Sequence, residues 1–334
     1  GEEIHPILNS RIGVSVIDSH TLSTKEAIIQ LRNFLIDKNV DVIINQSGHL
    51  FRTTALIKNA SKDLNIKIIS VLHNTPSFGL KFRYKHNITG KLKYYKNILK
   101  LAYSYRKVYK NSDLYILLSE SFISEFEKIS RLKNLKKIRL ISNPITIANE
   151  DFIYNFERKE KQIIFVGRLE YTQKRIERIL NVWGKIQSEY KDWELTIVGD
   201  GPDILRLKNI TENKNIQSVK FVGFQNPKSF YEKASILLLT SDYEGFPLTI
   251  TESMNFGVIP IVYGSYSAAY DIISDNYSGM ISKPNNGFDE EDFTNKLKML
   301  LSSVTKRKDF SLNALNDSRR FLLNNIYEKW EKIL

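Results

Sequence analysis

Two α/β domains built on parallel sheets are predicted by three features of this sequence. Short apolar runs alternate with segments of helical period almost from end to end. The chain has 334 residues, enough for two domains of ordinary size, each with its own core. The alternation breaks once, at Asn143-Pro144, and restarts at Gln162.

In the first half, Asp41–Asn45, Ile66–Leu72, Leu114–Leu118 and Ile138–Ser142 read as strands, because each is a short apolar run bounded by polar residues. Helices are expected near Thr24–Lys38, Thr53–Leu64, Gly90–Lys110 and Ser121–Leu132. A polar stretch without strong period follows and reads as a linker. The second half gives Gln162–Val166, Trp193–Val198, Val219–Val222, Ser235–Leu239, Val258–Val262 and a short Gly279–Ser282, a six-strand Rossmann-like count. From about Phe310 to Leu334 the period is helical. The expected division is a first domain over 1–145, a linker over 146–161, a second domain over 162–308 and a final helix over 309–334.

The chain has no cysteine, which excludes a disulfide framework and a thiolate metal site and fits a reducing cytoplasm. No apolar run approaches the roughly 20 residues of a membrane span. Gly1 to Pro6 do not resemble a signal peptide. The net charge of +12 is unevenly spread: residues 1–150 hold 24 Lys/Arg against 12 Asp/Glu, and residues 151–334 hold 25 against 25. A basic half and a neutral half suggest an anionic surface as partner for one and a small molecule for the other.

The chemistry concentrates in Asp242-Tyr243-Glu244-Gly245-Phe246-Pro247-Leu248-Thr249-Ile250-Thr251-Glu252. The run Ile236-Leu237-Leu238-Leu239 leads in as a strand, and an apolar-periodic segment from Leu248 leads out as a helix, with Pro247 suited to its first turn. Glu244 then lies on the loop beyond the strand, and Glu252 just over one turn into the helix. The free N–H groups of that helix start favour an anion. Two carboxylates around an anion seat suit a ligand with hydroxyls on both sides of a phosphate, such as a nucleotide sugar. The segment resembles the Glu-x7-Glu signature of retaining glycosyltransferases of family four, which have the GT-B fold.

Further features stand in the family's order. Gly167-Arg168-Leu169 follows the first strand of the second half, and Lys174 comes six positions after Arg168. Arg168 emerges where ligands bind in open α/β sheets. A guanidinium and an ammonium converging there can hold a diphosphate and neutralise the charge developing on it. In the family, Arg and Lys at this spacing do that work. Val198-Gly199-Asp200-Gly201-Pro202 reads either as a close approach of Gly199 backbone to ligand or as a structural strand-to-helix turn. Phe221-Val222-Gly223-Phe224 resembles the family segment whose main chain, here Val222 to Phe224, reads the nucleobase edge. The resemblance places Glu252 on the ribose hydroxyls and Glu244 toward the donor sugar, with Gly245, Phe246 and Leu248 offering backbone N–H groups on either side of Pro247, which has none. His73-Asn74-Thr75-Pro76 is similar to the family's His-led loop, which sets His73 across the cleft. Glu244, His73, Arg168 and Lys174 are therefore the candidate catalytic residues. The reaction implied is a front-face displacement, in which positioning and charge stabilisation dominate.

The resemblance implies two Rossmann-like domains facing across a cleft, with the last helix crossing back to the first. His5, His20, His49 and His86 have no metal-ligand spacing and no Asp-x-Asp pair adjoins a strand end, so no metal or cofactor is expected. UDP-sugar is the expected donor class, by family frequency. The family's opening strand and glycine-rich loop have no match around Gly13 or Gly48, so the chain is expected to begin inside the first domain.

From Lys81 to Lys110 there are ten Lys/Arg, no Asp or Glu, six tyrosines and Phe82. Leu92, Tyr95, Leu99 and Ala102 recur at helical spacing among Lys91, Lys93, Lys96 and Lys100. Such a helix suits an anionic membrane surface, and a lipid-linked saccharide acceptor carrying a pyrophosphate there. It equally suits a solvated helix whose apolar stripe packs on its own domain. Nucleic acid ranks last, because no recognised motif accompanies the charge. The expected protein is a cytoplasmic, peripherally docked transferase of surface polysaccharide synthesis. A sugar-nucleotide epimerase of the same architecture, or a nucleotide-sugar-binding protein without turnover, remains as the alternative.

Overall fold

The computed structural model describes residues 24–78, 80, 88–147 and 152–334, with residues 88 and 89 described in their backbone. The opening region around Gly13, the first part of the basic aromatic segment (81–87) and residues 148–151 of the expected linker lie outside the described residues.

The first unit runs α1 (Thr24–Asp37), β1 (Val42–Asn45), α2 (Phe51–Ala60), β2 (Lys67–Leu72), α3 (Ile88–Asn111), β3 (Leu114–Leu117), α4 (Ser121–Ser130) and β4 (Ile138–Leu140). Its four strands are parallel, in the order β1-β2-β3-β4. The middle strands are buried from Ile68 to Leu72 and from Tyr115 to Leu117, which is why they read as unbroken apolar runs. Helix α2 ends earlier than its period suggests, because Asp63 turns left-handed (φ 61°) just beyond it.

The second unit runs β5 (Gln162–Val166), α5 (Ile176–Ile186), β6 (Glu194–Val198), α6 (Ile204–Asn213), β7 (Val219–Gly223), α7 (Lys228–Lys233), β8 (Ile236–Leu239), α8 (Leu248–Met254), β9 (Ile259–Tyr263), α9 (Ala268–Ile272) and β10 (Met280–Ser282). Its sheet is parallel throughout, in the order β7-β6-β5-β8-β9-β10. That is the doubly wound 3-2-1-4-5-6 arrangement, with its reversal between β5 and β8. Helix α5 covers the sheet with Ile176, Ile179, Leu180, Val182, Trp183 and Ile186, all buried at helical spacing. Described residues of the expected linker pack on this unit rather than standing free: Phe152 lies 5.0 Å from Phe256, ring to ring, and Lys159 Nζ donates to Tyr231 O at 2.7 Å.

After β10 come α10 (Glu290–Ser302), α11 (Val304–Ser318) and α12 (Leu323–Glu331). The continuous helix expected from Phe310 is thus broken. A 3-10 turn over Arg319–Phe321 and an extended Leu322 (ψ 147°) divide it. Tertiary contacts drive the break: Arg320 NH2 donates to Ile272 O at 2.6 Å, and Phe321 O accepts from Ile145 N at 2.8 Å. The end of the chain does cross back, for Lys67 Nζ at the start of β2 donates to Ile333 O at 2.5 Å.

Candidate active site

The carboxyl ends of β5 and β8 adjoin at the sheet reversal, and their loops carry the candidate residues together. The segment after β5 pairs with the segment after β8: Asp242 N donates to Gln173 O at 2.8 Å, and Thr240 Oγ1 to Arg175 O at 2.9 Å. Glu244 is 7% exposed and is held from two sides, by Lys174 Nζ at 2.6 Å on Oε1 and Gln173 Nε2 at 3.2 Å on Oε2. The sequence reading set Lys174 on a diphosphate; here one of its three donors is committed to Glu244. Arg168 has a largely exposed side chain, with Glu170 at 3.8 Å as its nearest carboxylate.

Asp242 escaped the sequence reading, and so did its partners. Arg175 NH1 (3.0 Å) and Arg178 NH1 (2.6 Å) both bind its carboxylate, and Arg178 also donates to Thr240 O at 2.9 Å. The Arg178 guanidinium is centred 5.2 Å from the Tyr263 ring and 5.1 Å from that of Phe288. This half-buried cluster, with Asp242 at its buried centre, clamps the loop that presents Glu244. The spacing of Arg175 and Arg178, one helical turn apart beside the reversal, was the available signal.

Helix α8 begins at Leu248, with Pro247 as its N-cap residue rather than inside the first turn. Glu252 is 6% exposed; its Oε1 accepts from Thr146 Oγ1 at 2.5 Å. Burial raises the Glu252 carboxyl above its ordinary pKa, and contacts from Thr146 and Tyr231 partly oppose the rise. Around the same loop, the hydroxyls of Ser241, Thr249 and Tyr266 are buried without a hydrogen-bond partner among the described residues. The Phe246 ring turns away and packs edge-on against Phe321 at 5.4 Å.

Gly199 has a structural reason for being glycine. Its φ is +137°, and a Cβ there would stand 1.9 Å from Gly167 O. Its N–H donates to Gly223 O at 2.8 Å, so the ends of β5, β6 and β7 are laced together. At β7 the Val222 carbonyl accepts from Gln225 Nε2 at 3.0 Å, whereas the Phe224 ring is 88% exposed.

His73 follows β2 and faces this crevice from the first unit. A Cβ on Gly245 would lie 2.2 Å from His73 O, so the two units touch here backbone to backbone. The Phe78 and Tyr243 rings meet edge-on at 5.6 Å beside that contact. His73 Nε2 is bonded to Gln46 Oε1, and burial, then the neighbouring His49, hold its pKa below the usual imidazole value.

Helix α3 carries two apolar stripes. Ala102, Tyr105, Val108 and Tyr109 enter the core, whereas Leu92 (65% exposed), Tyr95 (63%) and Leu99 (61%) face solvent with Lys91, Lys93, Lys96 and Lys100. The self-packing alternative therefore holds for Ala102 and not for the other three. No helix among the described residues is long and apolar enough to cross a membrane.

The family described as Glycosyl transferases group 1 matches residues 146–317. A GalNAc-alpha-(1->4)-GalNAc-alpha-(1->3)-diNAcBac-PP-undecaprenol alpha-1,4-N-acetyl-D-galactosaminyltransferase of Campylobacter jejuni is 31% identical over 220 residues, 64% of this chain and 59% of that protein. The amylovoran biosynthesis glycosyltransferase AmsD of Erwinia amylovora is 27% identical over 207 residues, 60% of this chain and 57% of its own length. The matched part thus spans less than two thirds of either relative. Among solved structures, the apo lipopolysaccharide outer core galactosyltransferase WaaB superposes with a TM-score of 0.69 at 20% identity, over 95% of this chain and 81% of that one. HepE of Anabaena, in complex with UDP and glucose, gives 0.72 at 14% identity, over 92% and 81%. These likenesses show the GT-B fold.

Proposed function

The chain belongs to the group 1 glycosyl transferases, and from that premise we propose that it moves a sugar, with retention, from a UDP-sugar to a lipid-linked saccharide in surface polysaccharide synthesis. The observation that carries this reading is the crevice at the sheet reversal. Glu252, buried and met by hydroxyls, is fit to accept from a ribose, while Glu244, fixed on Lys174 at 2.6 Å, is fit to orient the transferred sugar. Arg168 and the remaining donors of Lys174 neutralise the diphosphate. Phe224 offers its exposed ring to the base, beside main-chain groups of Val222 and Gly223. In the transfer step the acceptor hydroxyl forms a bond to the anomeric carbon as the carbon–phosphate oxygen bond breaks on the same face. The hydroxyl proton passes to the departing phosphate oxygen. His73 hydrogen-bonds the sugar or the phosphate from the opposite unit. The UDP complex of HepE and the undecaprenol-linked substrate in the Campylobacter enzyme's name support the donor and acceptor classes.

Calorimetry with UDP, GDP and ADP tests the reading. UDP is expected to bind selectively, and Glu252→Ala to weaken it by roughly 1–3 kcal/mol through lost ribose hydrogen bonds. Equal affinity in the variant would remove the site. Glu252→Gln separates binding from folding. Because the folded chain holds this carboxyl's proton more tightly than the unfolded chain does, the ionised group costs stability above its folded pKa. That cost is gone below the unfolded value of about 4.3. Glu252→Gln should therefore melt at the same or a higher temperature near neutral pH, with the gap closing in acid, while UDP binding still weakens. A lower melting temperature at pH 7 would make the carboxylate an anchor of the fold instead.

The exposed stripe of α3, with its lysines, is the proposed contact with an anionic membrane, where the acceptor resides. At about 1 kcal/mol per lysine, replacing Lys91, Lys93, Lys96 and Lys100 by serine should weaken binding to phosphatidylglycerol vesicles by roughly a thousandfold. Unchanged sedimentation with vesicles would reject the contact.

A further inference from the structure

Away from the crevice, two carboxylates tie the units together in opposite directions. Glu125, on α4 of the first unit, accepts at Oε2 from Thr75 Oγ1 (2.7 Å) and Ser77 Oγ (3.0 Å), and at Oε1 from Ser267 Oγ (2.8 Å) just before α9. Asp271, on α9 of the second unit, accepts at Oδ2 from the Ser121 N–H (2.9 Å) and from Ser119 Oγ at the start of α4. Neither carboxylate has an ion-pair partner among the described residues; each is met by hydroxyl and amide donors. Thr75 and Ser77 belong to the loop that begins with His73, and its carbonyl abuts Gly245. Glu125 thus connects the His73 loop to the opposite unit, and Asp271 pins the start of the helix that carries Glu125.

We propose that Glu125 and Asp271 are positioning residues for transfer: a reciprocal pair that fixes the width of the cleft and so the placement of His73 against the Glu244 loop. Its catalytic part rests on the transfer reaction proposed above, whereas the pinning itself does not. Uncharged hydroxyl donors suit the task. Bonds to a carboxylate are strong enough to hold the seam, and each hydroxyl can return to water when the cleft opens, without leaving a second buried charge behind.

Ser267→Ala deletes the cross-cleft bond of Glu125 and leaves its bonds within the first unit, so it separates pinning from folding. Asp271→Ala and Glu125→Gln complete the set. Amide hydrogen exchange is read over 74–78 and 119–124, and kcat and donor KM are measured where transfer occurs. Faster exchange at 119–124 in Asp271→Ala, and at 74–78 in Ser267→Ala, is expected at an unchanged thermal midpoint. With it, kcat should fall roughly ten- to a hundredfold while donor KM stays constant, since the reacting groups are misplaced but the donor site is intact. Glu125→Gln, which keeps one acceptor oxygen, should recover part of the rate. Unchanged exchange in both segments would overturn the pinning. Faster exchange at unchanged kcat would overturn its part in transfer. A wild-type chain with no transfer to any acceptor would count against the proposed function and, with it, the catalytic part, while the exchange data still decide the pinning.

Discussion

Lys174→Ala is expected to destabilise the second unit by about 3 kcal/mol and to remove most of the transfer activity. The Lys174 and Glu244 side chains are 15% and 8% exposed and meet at 2.6 Å, so the substitution strands a carboxylate in a place that water barely reaches. Breaking a buried pair from one side costs about 3–5 kcal/mol, and the Gln173 amide, still 3.2 Å from Oε2, keeps the loss near the lower end. Two further measurements assign the effect. Lys174→Met with Glu244→Gln removes both charges and should restore most of the denaturation midpoint without restoring kcat. In the single variant, UDP affinity should fall much more than uridine affinity, because two ammonium donors are left over for phosphate oxygens once Glu244 has taken one. If UDP and uridine lost affinity equally, Lys174 would be a counter-ion of the loop and nothing more.

That pair also marks where sequence reading runs out. Strands such as Gln162–Val166 and Ile236–Leu239 were legible because both faces of a parallel sheet are covered, so every position in the run is apolar. Their loops could then be assigned to one end of the sheet, and spacing alone set Glu244 on the loop after β8 and Glu252 within α8, where the structure has them. Pairing is another matter. Lys174 and Glu244 are 70 positions apart, and Asp242 lies 67 and 64 positions from Arg175 and Arg178. A local period says nothing about which base reaches which acid. Only the reversal in strand order, which brings the loops after β5 and β8 side by side, makes these partners neighbours.

Two helices were legible only in part, for related reasons. The period from Phe310 onward runs through Arg319–Leu322 unbroken, yet the Phe321 carbonyl there is claimed by Ile145 N and the Arg320 side chain by Ile272 O, both from elsewhere in the fold. In α3 the apolar residues make two overlapping stripes, and sequence spacing cannot say which of them meets the core. Leu92, Tyr95 and Leu99 were grouped with Ala102, although only Ala102 turned inward. A helix with more apolar residues than the described residues of its domain cover can offer the surplus to a partner, which is the physical basis for the proposed membrane contact.

Gly199→Ala is expected to be the most damaging single methyl in the second unit, at roughly 3–5 kcal/mol, from a strained backbone added to an overpacked contact. Its φ of +137° is one that L side chains rarely adopt, and the new Cβ would stand 1.9 Å from Gly167 O, an atom fixed by the sheet. Gly223→Ala provides the comparison: φ is +74° there, but nothing lies within 4 Å, so only the left-handed penalty of about 1–2 kcal/mol applies. Gly245→Ala differs in kind. Its Cβ would meet His73 O at 2.2 Å, but that atom belongs to the facing unit, and the cleft can widen to relieve the clash. The three variants should therefore split two readouts. Gly199→Ala should lower the thermal midpoint by roughly 10 °C and Gly223→Ala by a few degrees. Gly245→Ala should melt near wild type yet lose kcat, because the gap it opens lies between His73 and the Glu244 loop. A Gly245→Ala enzyme with full activity would mean that the close contact is not part of the reacting state. A Gly199→Ala chain that melts like wild type would mean that the loops after β5 and β6 can part without cost, and that Gly199 is free to serve a ligand instead.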